Sequence, residues 1–145
     1  MKKFLALAIL AIATPAVAQK TPVGVTYDAT IIRASDGDTV VIAAPYLPAP
    51  LKPEIAVRIY GVDTPEKSFR AKCESEKVRG EQSSIFTKDV IAATKKHQVV
   101  LYGWDKFGGR VLGDIILDGM SLRDLLIKNS FAREYFGDAK TSWCN

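Results

Sequence analysis

Two short acidic strings stand out for the chemistry their residue types could do together. One is Asp36-Gly37-Asp38-Thr39 and the other is Asp63-Thr64-Pro65-Glu66. Asp36-Gly37 is a turn signal and Thr39 opens a β-branched run, so the first string introduces a strand. The second follows Gly61 at the close of another run, Ile55 to Tyr60. If these two strands form an antiparallel hairpin, the start of one lies beside the end of the other. Asp38 and Asp63 then approach each other although 25 positions separate them. Two carboxylates brought together repel unless a proton or a cation stands between them. A hard divalent cation with oxygen ligands answers that repulsion, and Ca2+ tolerates an irregular oxygen shell better than Mg2+ does. Each string alone is also ordinary turn chemistry. An EF-hand is excluded, because counting from Asp36 the third ligand position is Val40 and the twelfth is Leu47.

Three further residues fit such a centre. Arg58 lies within the strand that ends before Asp63, and Arg110 opens a later strand after the Gly108-Gly109 turn. Each reads either as a sheet-face arginine whose stem packs on its neighbours or as a planar, bidentate contact for a phosphate. Glu66 is either a solvated loop acid or a carboxylate beside the cation that takes a proton from water, a role it fills without histidine. The chain has one histidine, His97, which excludes paired-histidine acid/base chemistry and histidine-pair zinc sites. No nucleophile elbow and no glycine-rich phosphate loop are present.

The elements that must hold these residues are short. Val23 to Arg33, Thr39 to Ala43, Ile55 to Tyr60, Val99 to Trp104 and Val111 to Leu117 read as five strands. Pro45, Pro48, Pro50 and Pro53 fill the loop between the second and third. One helix carries Phe86, Val90 and Ala93 at helical spacing. A second is capped by Ser121, with Asp124 at the third helical position. Five strands, with a helix after the third and another after the fifth, predict an α+β fold. The expected architecture is a small closed five-stranded barrel of OB type with two or three helices.

At 145 residues one domain is expected. Residues 1–18 read as a secretory signal peptide: Lys2 and Lys3, an apolar run from Phe4 to Ala13, then Ala16-Val17-Ala18 as the cleavage site. The folded domain is then 19–145, exported to the periplasm or secreted, with no membrane attachment after cleavage. Removing two lysines lowers the formal charge from +4 to +2. In an oxidising compartment Cys73 and Cys144 are expected to form an intramolecular disulfide. Unpaired thiols and an intermolecular bridge are the alternatives.

Taken together and in order, the strings Ser35 to Thr39, Val57 to Glu66 and Asp105 to Gly113 resemble the staphylococcal nuclease (thermonuclease) family. The resemblance runs from about Ala29 to about Tyr135. It implies a five-stranded OB barrel and Ca2+-dependent hydrolysis of DNA and RNA that leaves 3′-phosphate ends. It makes Asp38 and Asp63 side-chain calcium ligands, Thr64 a ligand through its carbonyl, Glu66 the base, and Arg58 and Arg110 the phosphate clamps. Phe107 stands where the family has a tyrosine. Gly109 is one glycine more than the family's string, a change that could move Arg110 by a residue. Lys67, Arg70, Lys72, Lys77 and Arg79 form either a solvated loop or an electrostatic guide for a phosphate backbone. Phe107 and Tyr135 are weaker candidates for stacking on a base, Tyr135 reading first as a core or edge aromatic. A monomer is expected. Two rival readings are a non-catalytic nucleic-acid-binding OB module and an exported, calcium-stabilised structural domain.

Overall fold

The computed structural model describes residues 22–144. The leader expected at 1–18 lies outside these residues. Six strands form one continuous hydrogen-bonded path: β1 (Val25–Asp28), β2 (Ile31–Asp36), β3 (Thr39–Ala43), β4 (Glu54–Ile59), β6 (His97–Trp104) and β7 (Arg110–Leu117). The order is β1-β6-β7-β4-β3-β2, antiparallel throughout except for β4 with β7, which are parallel. Three small strands complete the set off this path. β8 (Met120–Ser121) pairs with β7, and β5 (Val62–Asp63) pairs with β9 (Arg133–Glu134).

The single first strand expected over Val23 to Arg33 is broken into β1 and β2 at Ala29-Thr30. Its two halves serve opposite edges of the sheet. Ala29 N–H donates to the His97 carbonyl at 3.0 Å, on the β6 side, while the Thr30 carbonyl accepts from Ala43 N–H at 2.9 Å, on the β3 side. No ladder joins β1 to β2 among the described residues, so the sheet is open and the closed barrel expected from sequence is corrected to an open, OB-like one. The cause is geometric: a chain that serves both edges must bend between them, and at the bend each edge is held by one backbone hydrogen bond outside the ladders.

Inside the sheet, Val40, Val57, Ile59, Val99, Ile115 and Leu117 are buried, and Leu122 and Leu126 of α2 (Leu122–Lys128) close over them. Ser121 caps α2 by accepting Asp124 N–H at 3.2 Å. The other helix, α1 (Glu74–Ala93), begins earlier than its apolar residues suggest. Its buried face is Glu76, Gly80, Ser83, Ser84 and Thr87, small and polar, and only its second half adds Phe86 and Val90 to the core. A 3-10 turn at Ser68–Arg70 precedes it. No helix among the described residues is long and apolar enough to cross a membrane.

Candidate active site

The β3–β4 hairpin forms as expected, and its register sets Thr39 opposite Arg58. Asp38, one residue outside the first rung, is locked there by its carbonyl, which accepts Ile59 N–H at 2.8 Å. Its carboxylate is 4% exposed as part of the residue. Arg58 Nη1 lies 2.6 Å from Asp38 Oδ2, and the Thr39 hydroxyl donates to Oδ1 at 3.2 Å. After β4 the chain turns at Gly61, whose φ of +76° suits glycine, and β5 buries Val62 and Asp63. Thr64 and Pro65 are buried too, and Glu66 emerges half-buried.

Arg110 arrives from the other side. The parallel pairing of β4 with β7 places it opposite Ala56. Gly108 and Gly109, both at φ +69°, absorb the additional turn residue. Arg110 donates from Nε and Nη2 to Asp105 Oδ2 at 3.0 and 2.6 Å. One small polar cavity of about 40 Å³ is lined by Asp38, Arg58, Thr64, Glu66, Lys67, Arg70 and Arg110 among others. That is room for an ion or a few waters. Gly109 therefore does not carry Arg110 away from Arg58.

Helix α1 holds both motif turns at backbone contact. A Cβ at Gly37 would collide with the Ser83 hydroxyl, and one at Gly80 would collide with the Glu66 carbonyl. Thr87 donates its hydroxyl to the Gly37 carbonyl at 2.7 Å. Buried Glu76 accepts Glu66 N–H at 3.2 Å and Lys72 N–H at 2.8 Å, which fixes the loop between them. Asp36 pairs with Arg70 at 3.0 Å and with Lys67 at 3.3 Å, and the Arg70 guanidinium is held above its usual pKa by that aspartate. Arg70 Nε also lies 3.4 Å from Glu66 Oε2. Two of the five cations considered as a guide thus face the cavity.

Asp63 stands apart from this group. It lines a second cavity, about 270 Å³, together with Thr64, Glu66, Lys140 and Trp143. Thr64 and Glu66 line both cavities. Trp143 Nε1 donates to Asp63 Oδ2 at 3.0 Å. Lys140 Nζ lies 2.6 Å from Oδ1 as an ion pair, and no other group among the described residues donates to that buried oxygen. The segment bearing Trp143 is anchored by the Cys73–Cys144 disulfide, which confirms the intramolecular pairing. Cys73, Glu76 and Cys144 form the one tight group of three ligand types among the described residues. Its two sulfurs are bonded to each other, so it offers no thiolate for a metal. Asp38 and Asp63 present buried carboxylates to different cavities, and Thr64 lines both.

The aromatic candidates lie outside both cavities. Phe107 is exposed at the tip of the β6–β7 turn, with Lys106 Nζ 5.1 Å from its ring centroid. Tyr135 is half-buried, its N–H bonded to the Gly61 carbonyl at 3.1 Å. Sequence reasoning passed over Glu76, Lys140 and Trp143. Glu76 had no signal beyond its place in a polar run. Trp143 had one: a bridge from Cys144 to Cys73 brings its neighbour to the loop after Asp63.

No curated protein shows a significant match to the chain. Residues 56–143 match the family model of the staphylococcal nuclease homologues. The matched span includes Arg58, Asp63, Thr64, Glu66 and Arg110, with Asp38 upstream of it. This is more than half of the chain, folded as an OB-like α+β domain, and the protein belongs to the staphylococcal nuclease family.

Proposed function

We propose that this protein is an exported, Ca2+-dependent nuclease that hydrolyses phosphodiester bonds in DNA and RNA and leaves 3′-phosphate ends. Family membership supports a nuclease or a nucleic-acid-binding OB-type protein. The observation that favours hydrolysis is one cavity lined by Asp38, Thr64 and Glu66 together with Arg58 and Arg110. A module that only bound nucleic acid would have little use for a half-exposed glutamate in a cavity that it shares with Arg58 and Arg110.

The donor set fits a calcium ion. Asp38 and Asp63 are buried carboxylates lining two cavities that share Thr64, and among the described residues Asp63 Oδ1 has only the Lys140 ammonium, about half exposed, as its partner. These three residues would hold the ion, which when bound supplies a Lewis acid for a non-bridging phosphate oxygen. Arg58, braced by Asp38, and Arg110, braced by Asp105, bind the equatorial oxygens and neutralise charge that grows toward the transition state. Glu66 orients the attacking water and accepts its proton on the carboxylate. Lys67 and Arg70 draw the nucleic-acid backbone toward the cavity. The protein works as a monomer in the periplasm or outside the cell, with no membrane attachment after its leader is removed. A disulfide between residues 71 positions apart suits that compartment.

The test is degradation of single-stranded DNA and RNA by the oxidised mature chain, with Ca2+ and then with EDTA. Cleavage that requires Ca2+ and leaves 3′-phosphate ends is the expected result. DNA bound but left intact in Ca2+ would replace this reading with the binding module.

A further inference from the structure

We propose that the C-terminal strap, residues 140–144, sets the state of Asp63: Trp143 orients its carboxylate, and Lys140 occupies the oxygen that a cation would take. This inference rests on the cation site proposed above. A carboxylate on a two-residue strand could present either oxygen. Here the indole N–H of Trp143 engages Oδ2 at 3.0 Å, and that choice leaves Oδ1 to the Lys140 ammonium at 2.6 Å. An indole donates one hydrogen bond and accepts none, so it can orient a carboxylate without competing for a cation.

Trp143 is itself held from three sides. Its ring lies under the Arg133 guanidinium, 3.7 Å from centroid to carbon, and its carbonyl accepts from Arg79 Nη1 at 3.1 Å. Arg133 Nη1 also donates to the Ser142 carbonyl at 2.9 Å, and Arg133 pairs with Asp63 in the β5–β9 ladder. The next residue, Cys144, is bonded to Cys73 at the N-terminus of α1. The indole is 8% exposed as part of its residue, so the hydrogen bond is shielded from water. Hydrogen-bond partners of metal ligands typically change metal affinity ~10- to 100-fold when removed.

Lys140 has the opposite effect on the same carboxylate. Its ammonium stands 2.6 Å from Oδ1, carries one positive charge, and is about half exposed on a flexible stem. A divalent cation entering at Oδ1 displaces it, and the lysine can swing into solvent. Trp143 is thus a positioning residue, and Lys140 is an internal competitor.

The experiment is calorimetric titration of Ca2+ alone into the oxidised full-length mature protein, without nucleic acid, for the wild type, Trp143→Phe and Lys140→Met. Phe keeps the buried ring and removes the donor. Met keeps the stem and removes the charge. The expected result is Ca2+ affinity weakened about tenfold in W143F and tightened severalfold in K140M. A merely structural strap would lower thermal stability in W143F while leaving the Ca2+ affinity of the folded protein unchanged. An unchanged affinity in W143F overturns the orienting role, and an unchanged or weaker affinity in K140M overturns the competition. If W143F fails to fold, K140M still decides whether the strap acts on Asp63. A wild-type protein that binds no Ca2+ overturns the cation site, and this inference falls with it.

Discussion

Arg58 Nη1 stands 2.6 Å from Asp38 Oδ2 because the β3–β4 register sets Arg58 opposite Thr39, next to Asp38 in the chain. One contact therefore links hairpin pairing, burial of a carboxylate and the orientation of the guanidinium proposed as a phosphate clamp. Arg58→Ala leaves Asp38 buried and unpaired, at a cost of ~3 kcal/mol in urea unfolding. It also lowers DNA cleavage by about a hundredfold or more. Arg58→Lys restores part of the stability but little of the rate, since an ammonium cannot reproduce the planar fork. A lysine variant with wild-type turnover would count against Arg58 as a bidentate clamp.

Glu66 separates rate from stability. Its side chain is about half exposed, and its pair with Arg70 at 3.4 Å is of the surface kind, worth at most ~1 kcal/mol. Glu66→Gln is expected to leave the melting temperature nearly unchanged while cleavage of single-stranded DNA falls by about 10²-fold or more. Equal losses in both readouts would make Glu66 a structural residue.

Gly80 tests whether α1 holds the active loop. In an ordinary helix Gly→Ala is favourable by ~1 kcal/mol. Here the new methyl group meets the Glu66 carbonyl, and overpacking of this kind costs ~1–3 kcal/mol. Gly80→Ala should therefore destabilise the protein and slow cleavage together, with exposed Glu81→Ala as the neutral control. A more stable, fully active G80A protein would remove the close approach from the account.

Reduction of Cys73–Cys144 opens a link between positions 71 apart, for which chain entropy alone gives ~4 kcal/mol. Calorimetry with and without reductant should show a melting temperature lower by roughly 10 °C in the reduced chain. No change on full reduction would mean that Trp143 and its arginine contacts hold the strap unaided.

Asp114 gives stability a pH dependence of unusual sign. Burial pushes its carboxyl above the ordinary range, only partly offset by hydrogen bonds from Ser121 Oγ, Arg123 N–H and Ile115 N–H. Asp124 adds a further push upward. The folded protein thus binds this proton more tightly than the unfolded chain does. The ionised form costs stability at neutral pH, and the cost is relieved as pH falls through the raised value toward the unfolded one. Compared with Asp114→Asn in urea titrations between about pH 7 and pH 4, the wild type should gain on the variant as pH falls. A gap that stays constant with pH would show that Asp114 does not titrate differently on folding.

The long strands, apart from the break in the first, the β3–β4 hairpin and the motif residues at its end were legible in the amino-acid order. Period-2 runs, proline and Asp-Gly punctuation and the strand-flanking acids are local signals, readable without the fold. The even cysteine count and the export expected from residues 1–18 predicted the disulfide for a similar reason, since both are read from the chain without its fold. The first half of α1 was not legible. Its buried face is Glu76, Gly80, Ser83 and Thr87, which carry no hydrophobic period because they pack on backbone turns and not on side chains. The break at Ala29-Thr30 was equally silent, because a strand's sequence records its faces but not which two neighbours it must reach.

How the acids divide depends on the folded chain. Sequence spacing brought Asp38 and Asp63 to one end of the sheet. The fold then gave Asp38 to Arg58 in one cavity and Asp63 to Trp143 and Lys140 in another. That partition depends on a segment some 80 residues beyond Asp63, anchored by a covalent bond at the start of α1. Local propensities cannot specify such a contact, because its free energy comes from side chains that meet only after the chain has closed around them.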